Sequence, residues 1–335
     1  MPEYLDKDGL EYLWGKIKAS FYTKSEIEEI LSLLLANVTT ELICLTSDAP
    51  SRVVLGESLT VTLTAGTGQS ITAVTVTMGG TDITSSVYAN NVITIPNVTG
   101  AVNISAAAVI NFANSTVKSL CVSNWGGNDV SNEITIREAA QVTQLGSVFK
   151  SNTAITSFDE LQYFTGLQSL NSQEFNGCTN LSSITFPTVQ LTYMRLHQTF
   201  VNCKNLTSID FSPLAGSSCV QIYYTFQTCT KLRSINFTGI SFANCYNNIG
   251  SQTAVGGSFS GATLIDTIGG GFSGIKKTFG TILSNLPLTH DSAVVILQSL
   301  GTASSGATIT FKASTKSTLT ADEIAIATSK GWTVS

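Results

Sequence analysis

One motif recurs three times near the middle of the chain and limits what the rest can be. The segments "EFNGCTNLSSITF", "TFVNCKNLTSIDF" and "TFQTCTKLRSINF" align without gaps, and their cysteines, Cys178, Cys203 and Cys229, follow one another at 25 and then 26 residues. Phe175, Phe200 and Phe226 repeat in step. So do Leu181, Leu206 and Leu232, then Ile184, Ile209 and Ile235, then Phe186, Phe211 and Phe237. Weaker copies flank them at Phe149–Ile155–Phe158 and Phe259–Ile265–Ile268. A unit this short cannot bury its apolar face alone, so neighbours stack and share one core. The pattern F-x-x-C-x-x-L-x-x-I-x-F therefore predicts a stacked solenoid over 146–275.

Within that stack the three cysteines read as small core residues. The chain has seven cysteines, Cys44, Cys121, Cys178, Cys203, Cys219, Cys229 and Cys245. An odd, widely spread set without C-x-x-C fits neither a disulfide framework nor a zinc site, and reduced, mostly buried thiols are expected. In L-x-S-I-x-F the Ile and the second Phe point inward, so alternate positions point out. That gives Thr185, Asp210 and Asn236 as one exposed row, with Ser183, Ser208 and Ser234 beside it. On a second strand, Arg195 and His197 align with Gln221 and Tyr223. Small polar rows with a few aromatics suit a carbohydrate or protein surface. Thr185, Asp210, Asn236, Arg195, His197 and Tyr223 are the candidate ligand-binding residues; the plain alternative is a solvated face with no ligand.

Catalysis is not expected. Asp159 and Glu160 are adjacent and so alternate in direction, and neither His197 nor His290 has an evident nucleophile partner. No catalytic residue, metal-ligand set or cofactor is assigned. The frame Asp129, Ser131, Glu133, Thr135, Glu138, with Ile134 at its centre, faintly resembles a calcium loop. Gly127 would stand at position one and Asn132 at the turn glycine, so a degenerate loop over 127–138 held by ordinary hydrogen bonds is expected.

The N-terminal residues 1–39 read as a helical docking and oligomerisation segment. Asp8 and Glu11 cap a pattern of Leu10, Leu13, Trp14 and Ile17, and Thr23 with Glu26 forms a second capping box. Ile27, Leu31, Leu34 and Val38 then make an a/d seam of the coiled-coil kind. So short a helix is marginal alone. It packs either on its own domain or on copies of the chain, a homo-oligomer with a trimer favoured over a dimer. Residues 40–110 alternate apolar and polar in "SLTVTLTA", "ITAVTVTM" and "NVITIPNV", with turns at Gly79-Gly80 and Asn90-Asn91, and predict a small β-sandwich. Residues 111–145 are expected to connect, and 146–335 to hold the solenoid and a C-terminal cap. In the cap, "LTADEIAIATSKGWTV" opens on a Thr320/Glu323 capping box and stops at Gly331.

Charged residues are only 12% of the chain and the net charge is −5, which provides no electrostatic footprint for nucleic acid. No apolar run is long enough to insert in a membrane. The acidic, amphipathic opening lacks the regions of a signal peptide, so general secretion is not expected. The N-x-S/T triplets at Asn37, Asn97 and Asn205 are then a by-product of Asn/Ser/Thr-rich β sequence.

The repeats resemble BspA-like leucine-rich repeats, found in surface proteins of gut and oral bacteria and in their phages. The stretches "VKSLCVSNW", "TSFDELQYFTGLQSL" and "ATSKGW" carry that likeness. "TMGGTDITSSVYANNVITIPNVTGAVNISAAA" resembles immunoglobulin-like modules of phage structural proteins, and "LDKDGLEYLWGKIK" with "YTKSEIEEIL" resembles the start of phage tail and head fibres. The resemblance implies a mainly β fold with short helices. Its parts would be an N-terminal coiled-coil segment, an immunoglobulin-like sandwich and a leucine-rich-repeat solenoid with a C-terminal cap. It implies a virion fibre or decoration protein, docked on other virion proteins through its N-terminus and presenting the repeats to a host-surface glycan or protein. A bacterial cell-surface adhesin is the alternative.

Overall fold

A computed structural model describes residues 11, 14–15, 23–246, 257–279, 282–303 and 306–335. The expected helix through Leu10, Leu13 and Ile17 lies outside the described residues, as do Phe21 and Tyr22. The chain divides into two compact units, Met1–Val109 and Ile110–Ser335.

In the first unit, helix α1 (Lys24–Leu34) starts at the capping box read from the sequence. The Thr23 N–H donates to Glu26 Oε2 at 2.7 Å, and the Glu26 N–H donates to Thr23 Oγ1 at 3.3 Å. The helix does not run on to Val38. Leu35 turns to extended backbone, and Leu35–Ile43 is strand β1. The competing force is strand pairing. β1 pairs antiparallel with β3 (Arg52–Val54) and parallel with β9 (Val102–Ile110), and Val38 lies opposite Val102. Ala36 and Val38 are buried there, which outweighs the helix propensity of "LLLANV". The seam Ile27, Leu31, Leu34, Val38 is therefore not one helical stripe. Ile27 and Val38 are buried, Leu34 is exposed, and the apolar residues α1 leaves in solvent are Ile30, Leu33 and Leu34. A boundary at 39/40 falls inside β1.

The other strands are β2 (Leu45–Ser47), β4 (Leu59–Ala65), β5 (Gln69–Met78), β6 (Thr81–Asp82), β7 (Tyr88–Ala89) and β8 (Val92–Ile95). They form two sheets, β3-β1-β9-β5-β6 and β2-β4-β8-β7. Period-two alternation sends Leu59, Val61 and Leu63 of β4 inward and its threonines outward. Ile93, Ile95, Val102 and Ile104 join them in one apolar cluster. The two turns foreseen are present. Gly79 and Gly80 join β5 to β6, and Asn90 and Asn91, both at positive φ, join β7 to β8.

The second unit opens with a helix at Ser115–Trp125, capped by Asn114, whose Oδ1 accepts the Val117 N–H at 2.9 Å. Residues 111–145 do more than connect. Val117, Cys121, Ile134, Ala139, Val142 and Leu145 belong to the same buried cluster as the repeats. Trp125 packs on Phe149 and Phe164 at centroid distances of 6.1 and 5.7 Å. In the loop before the next helix, Glu138 accepts from the backbone of Asn128, Asp129 and Thr135, Asp129 pairs with Arg137, and Glu133 pairs with Lys118. The carboxylates of the calcium-like frame are thus engaged by protein donors.

From there each repeat adds short strands. β10 (Ser157–Phe158) pairs with β12 (Ser183–Ile184), and β14 (Ser208–Asp210), β16 (Ser234–Asn236) and β17 (Thr267–Gly269) form a second parallel sheet. A third parallel sheet joins β11 (Ser169–Leu170), β13 (Tyr193–Arg195) and β15 (Cys219–Gln221). Two aromatic columns run through the core. Phe149, Phe175, Phe200, Phe226 and Phe259 follow one another at 5.6, 5.5, 5.8 and 6.1 Å, within 15° of parallel. Phe186, Phe211 and Phe237 stack at 5.1 and 5.3 Å. All of these rings are buried, each contributing about 1.5–3 kcal/mol of transfer free energy. The cysteines stitch the column. The Sγ–H of Cys178 donates to the Phe149 carbonyl at 3.0 Å, Cys203 to Phe175 at 3.2 Å, and Cys229 to Phe200 at 3.0 Å. Burial pushes the Cys178 thiol up to about 11 and the Cys229 thiol up to about 12, so both stay protonated at neutral pH.

Turn geometry repeats as strictly as the core. Ser151, Gly177, Asn202, Thr228 and Gly261 occupy one repeat position, all at positive φ. Gly177 has a second reason to lack a side chain, since a Cβ would stand 3.2 Å from Ser151 Cα. Beyond the last repeat strand, helices His290–Ser299 and Ala321–Thr328 and the parallel pair Thr308–Ile309 and Thr333–Val334 continue the same apolar cluster, while the short helix Ala313–Lys316 is tied in by the Thr315 hydroxyl, which donates to the Leu288 carbonyl at 2.8 Å. The Thr320/Glu323 capping box is formed.

Candidate functional site

Ile184, Ile209 and Ile235 are buried, and the residues after them stand on the outer side of the strands. Strand pairing sets Ser157 beside Ser183, Ser208 beside Ser234 and Asp210 beside Asn236. Thr185, Asp210 and Asn236, with Ser183, Ser208 and Ser234, line one shallow hollow of about 430 Å³. Thr185 and Asp210 are exposed, and Asn236 is half-buried.

The hollow has a further member, Asp159, which sequence reasoning weighed only as a catalytic carboxylate. Its two oxygens accept from Ser183 Oγ at 2.8 Å and Thr185 Oγ1 at 3.0 Å. The signal was available, because Asp159 stands one period before Thr185 and directly follows β10. Its neighbour Glu160 points the other way, is buried, and accepts the Ala113 N–H at 2.7 Å. Each later row member also anchors its own turn. Asp210 Oδ1 accepts the Ser212 N–H at 2.8 Å, and Asn236 Oδ1 accepts the Thr238 N–H at 3.0 Å. The Ser208 and Ser234 hydroxyls have no protein partner among the described residues. The hollow thus offers two carboxylates, an amide and unpaired hydroxyls, and no cation.

Arg195, His197 and Tyr223 lie on and just after the strands of the other sheet. The Arg195 Nε–H donates to Gln221 Oε1 at 2.6 Å, and Gln221 is fully buried rather than outward as its alignment with Arg195 implied. The pairing shifts between Met194 and Arg195, a bulge that turns Gln221 inward. The His197 ring stacks on Tyr223 at 5.7 Å and 26°, and Tyr223 meets Tyr224 edge-on at 4.1 Å. Burial first, then the Arg195 charge, holds the His197 imidazole below its usual range. A hydrogen bond with Tyr224 raises the Tyr223 phenol. The six candidate residues therefore fall into two sets of three. Among the described residues, no group of three or more His, Cys, Asp or Glu side chains could hold a metal ion.

The recurring strand, the buried Phe and Leu columns and the repeated thiol match a known pattern in sequence. Residues 130–254 match the family model for the BspA type leucine-rich repeat region, in six copies. No curated protein and no solved structure matches the chain. The BspA type repeats take in both sets of candidate residues. The stacking continues past the matched stretch, where Phe259 extends the column from Phe226.

Proposed function

We propose that this protein is a surface-binding, adhesin-type protein whose repeats hold a ligand and carry out no chemistry on it. The observation behind this reading is the hollow lined by equivalent positions of successive repeats, Asp159, Thr185, Asp210 and Asn236. A row built by repetition matches a ligand that is itself extended, such as a host-surface glycan or protein. The test is adherence of the purified chain to host cells, with Thr185, Asp210 and Asn236 replaced together by Ala. Adherence should fall while the circular dichroism spectrum is kept, the melting temperature dropping only by the few degrees that the lost turn hydrogen bonds imply. Unchanged adherence would move the site off this row.

The finer form of the reading makes the chain a virion fibre or decoration protein, made in the host cytoplasm and docked on other virion proteins by its N-terminal helices. Its support is the resemblance of the opening residues to phage fibres, together with the apolar face of α1. On this reading the repeats form a solenoid closed by the C-terminal helices as a cap, the first unit is an immunoglobulin-like spacer, and α1 joins copies of the chain, three rather than two. Mass spectrometry of purified virions decides between this and a bacterial cell-surface adhesin: absence of the chain from virions removes the fibre.

A further inference from the structure

We propose that Arg195, fixed by Gln221 and flanked by His197 and Tyr223, binds a carboxylate-bearing saccharide, an acidic sugar. The proposal rests on reading the repeats as ligand-binding, and it concerns a different sheet from the hollow.

The guanidinium is the first reason. Its Nε–H is held by the side-chain oxygen of a fully buried glutamine, so its direction is set by the core rather than by solvent. That leaves the two terminal nitrogens, the fork that matches a carboxylate with two parallel hydrogen bonds. Neither has a protein partner among the described residues. Of the other three arginines, Arg137 pairs with Asp129 and Arg233 with Asp266, while Arg52 is an exposed side chain on β3 rather than one fixed by a buried group. An oriented, half-buried guanidinium without a counter-ion, in a chain of net charge −5, is poised for an anion from outside. Gln221 Nε2 is also a buried donor without an acceptor, so the protein leaves donors unanswered on both sides of this bond.

The second reason is what surrounds the fork. His197 is two residues along the chain, and its depressed pKa keeps the imidazole neutral, able to donate from one nitrogen and accept at the other. It stacks on Tyr223, whose phenol adds a hydroxyl. Neutral donor–acceptor groups on aromatic rings suit a ring bearing hydroxyls. A bare oxyanion would fill the fork and leave them unused. One carboxylate plus several hydroxyls on a compact ring is a uronic-type sugar.

The test uses the full chain and follows imidazole proton resonances. The chain has two histidines, and His290→Ala assigns them. The titrants are methyl glucuronide, methyl glucoside, acetate and inorganic phosphate. Methyl glucuronide should move the His197 signals, leave those of His290 in place, and bind roughly tenfold or more tighter than the other three. It should also raise the His197 pKa, because the bound carboxylate offsets the Arg195 charge. Arg195→Gln should abolish the preference for glucuronide over glucoside. Arg195→Lys, with the charge but no fork, should lose most of it, and circular dichroism melting checks that each variant folds. Equal binding of glucuronide and glucoside overturns the proposal, as does a preference that survives in folded Arg195→Gln. Acetate or phosphate binding as tightly as glucuronide overturns the saccharide assignment. Adherence that depends on Thr185, Asp210 and Asn236 but ignores glucuronide and Arg195 would sink this site and leave the adhesin reading standing.

Discussion

Single side chains carry unequal weight here. Phe200 sits between Phe175 and Phe226 and also meets Phe211 at 6.2 Å. Phe200→Ala should cost about 3–5 kcal/mol in chemical denaturation, as large core truncations do. Thr185→Ala removes one exposed hydrogen bond to Asp159 and should cost no more than about 1 kcal/mol. Glu174 is the misfit of the column. At its position later repeats place Thr199, Thr225 and Ser258, each donating a hydroxyl to a backbone carbonyl of the preceding turn. Glu174 is buried, accepts the Asn171 N–H, and has its other oxygen without a partner. Burial pushes its carboxyl from an ordinary 4.5 up to about 7. A folded value above the unfolded one means that its contribution is full below pH 4.5 and is lost as pH rises through 7. Glu174→Gln should flatten stability over that window and be more stable than the parent at pH 8, by roughly 3 kcal/mol. Parallel melting curves for both proteins from pH 4 to 8 would refute this.

Helix α1 and strand β1 show where local sequence stops deciding structure. The start of α1 was legible because the Thr23/Glu26 box is a local signal. Its end was not, because Val38 is drawn into a strand by β9, a partner more than sixty residues away. The apolar face left to solvent is accordingly Ile30, Leu33 and Leu34. If copies associate through α1, Leu33→Asp with Leu34→Asp should yield monomers in light scattering with an unchanged circular dichroism spectrum, since both side chains are exposed. A native mass in that variant would remove α1 from assembly. The outward rows were legible for the same reason as the capping box: period two and a fixed repeat length leave one solution for Thr185, Asp210 and Asn236. Gln221 broke the rule through a bulge, and no local residue pattern announces a bulge. The positive-φ turn position was hidden too, since Ser151, Gly177, Asn202, Thr228 and Gly261 share a backbone angle and no side-chain chemistry.

At the scale of the chain, seven thiols and no disulfide leave both units held by packing. Cys44 alone is only part-buried. A thiol reagent should label Cys44 in the native protein and all seven cysteines after denaturation, and reductant should leave the melting temperature unchanged. Rapid native labelling of Cys178, Cys203 or Cys229 would contradict the buried, protonated thiols described for the column.

Three successive repeats are each fastened to the one before by a thiol reaching for a phenylalanine carbonyl. A copying slip in the gene that adds or drops one whole period would leave every such joint intact, because Cys229 would meet the carbonyl of whichever phenylalanine preceded it. A slip of any other size would throw ring, thiol and strand out of step together. Inheritance can therefore lengthen or shorten the reach of this protein in single steps, while its cross-section stays under constraint.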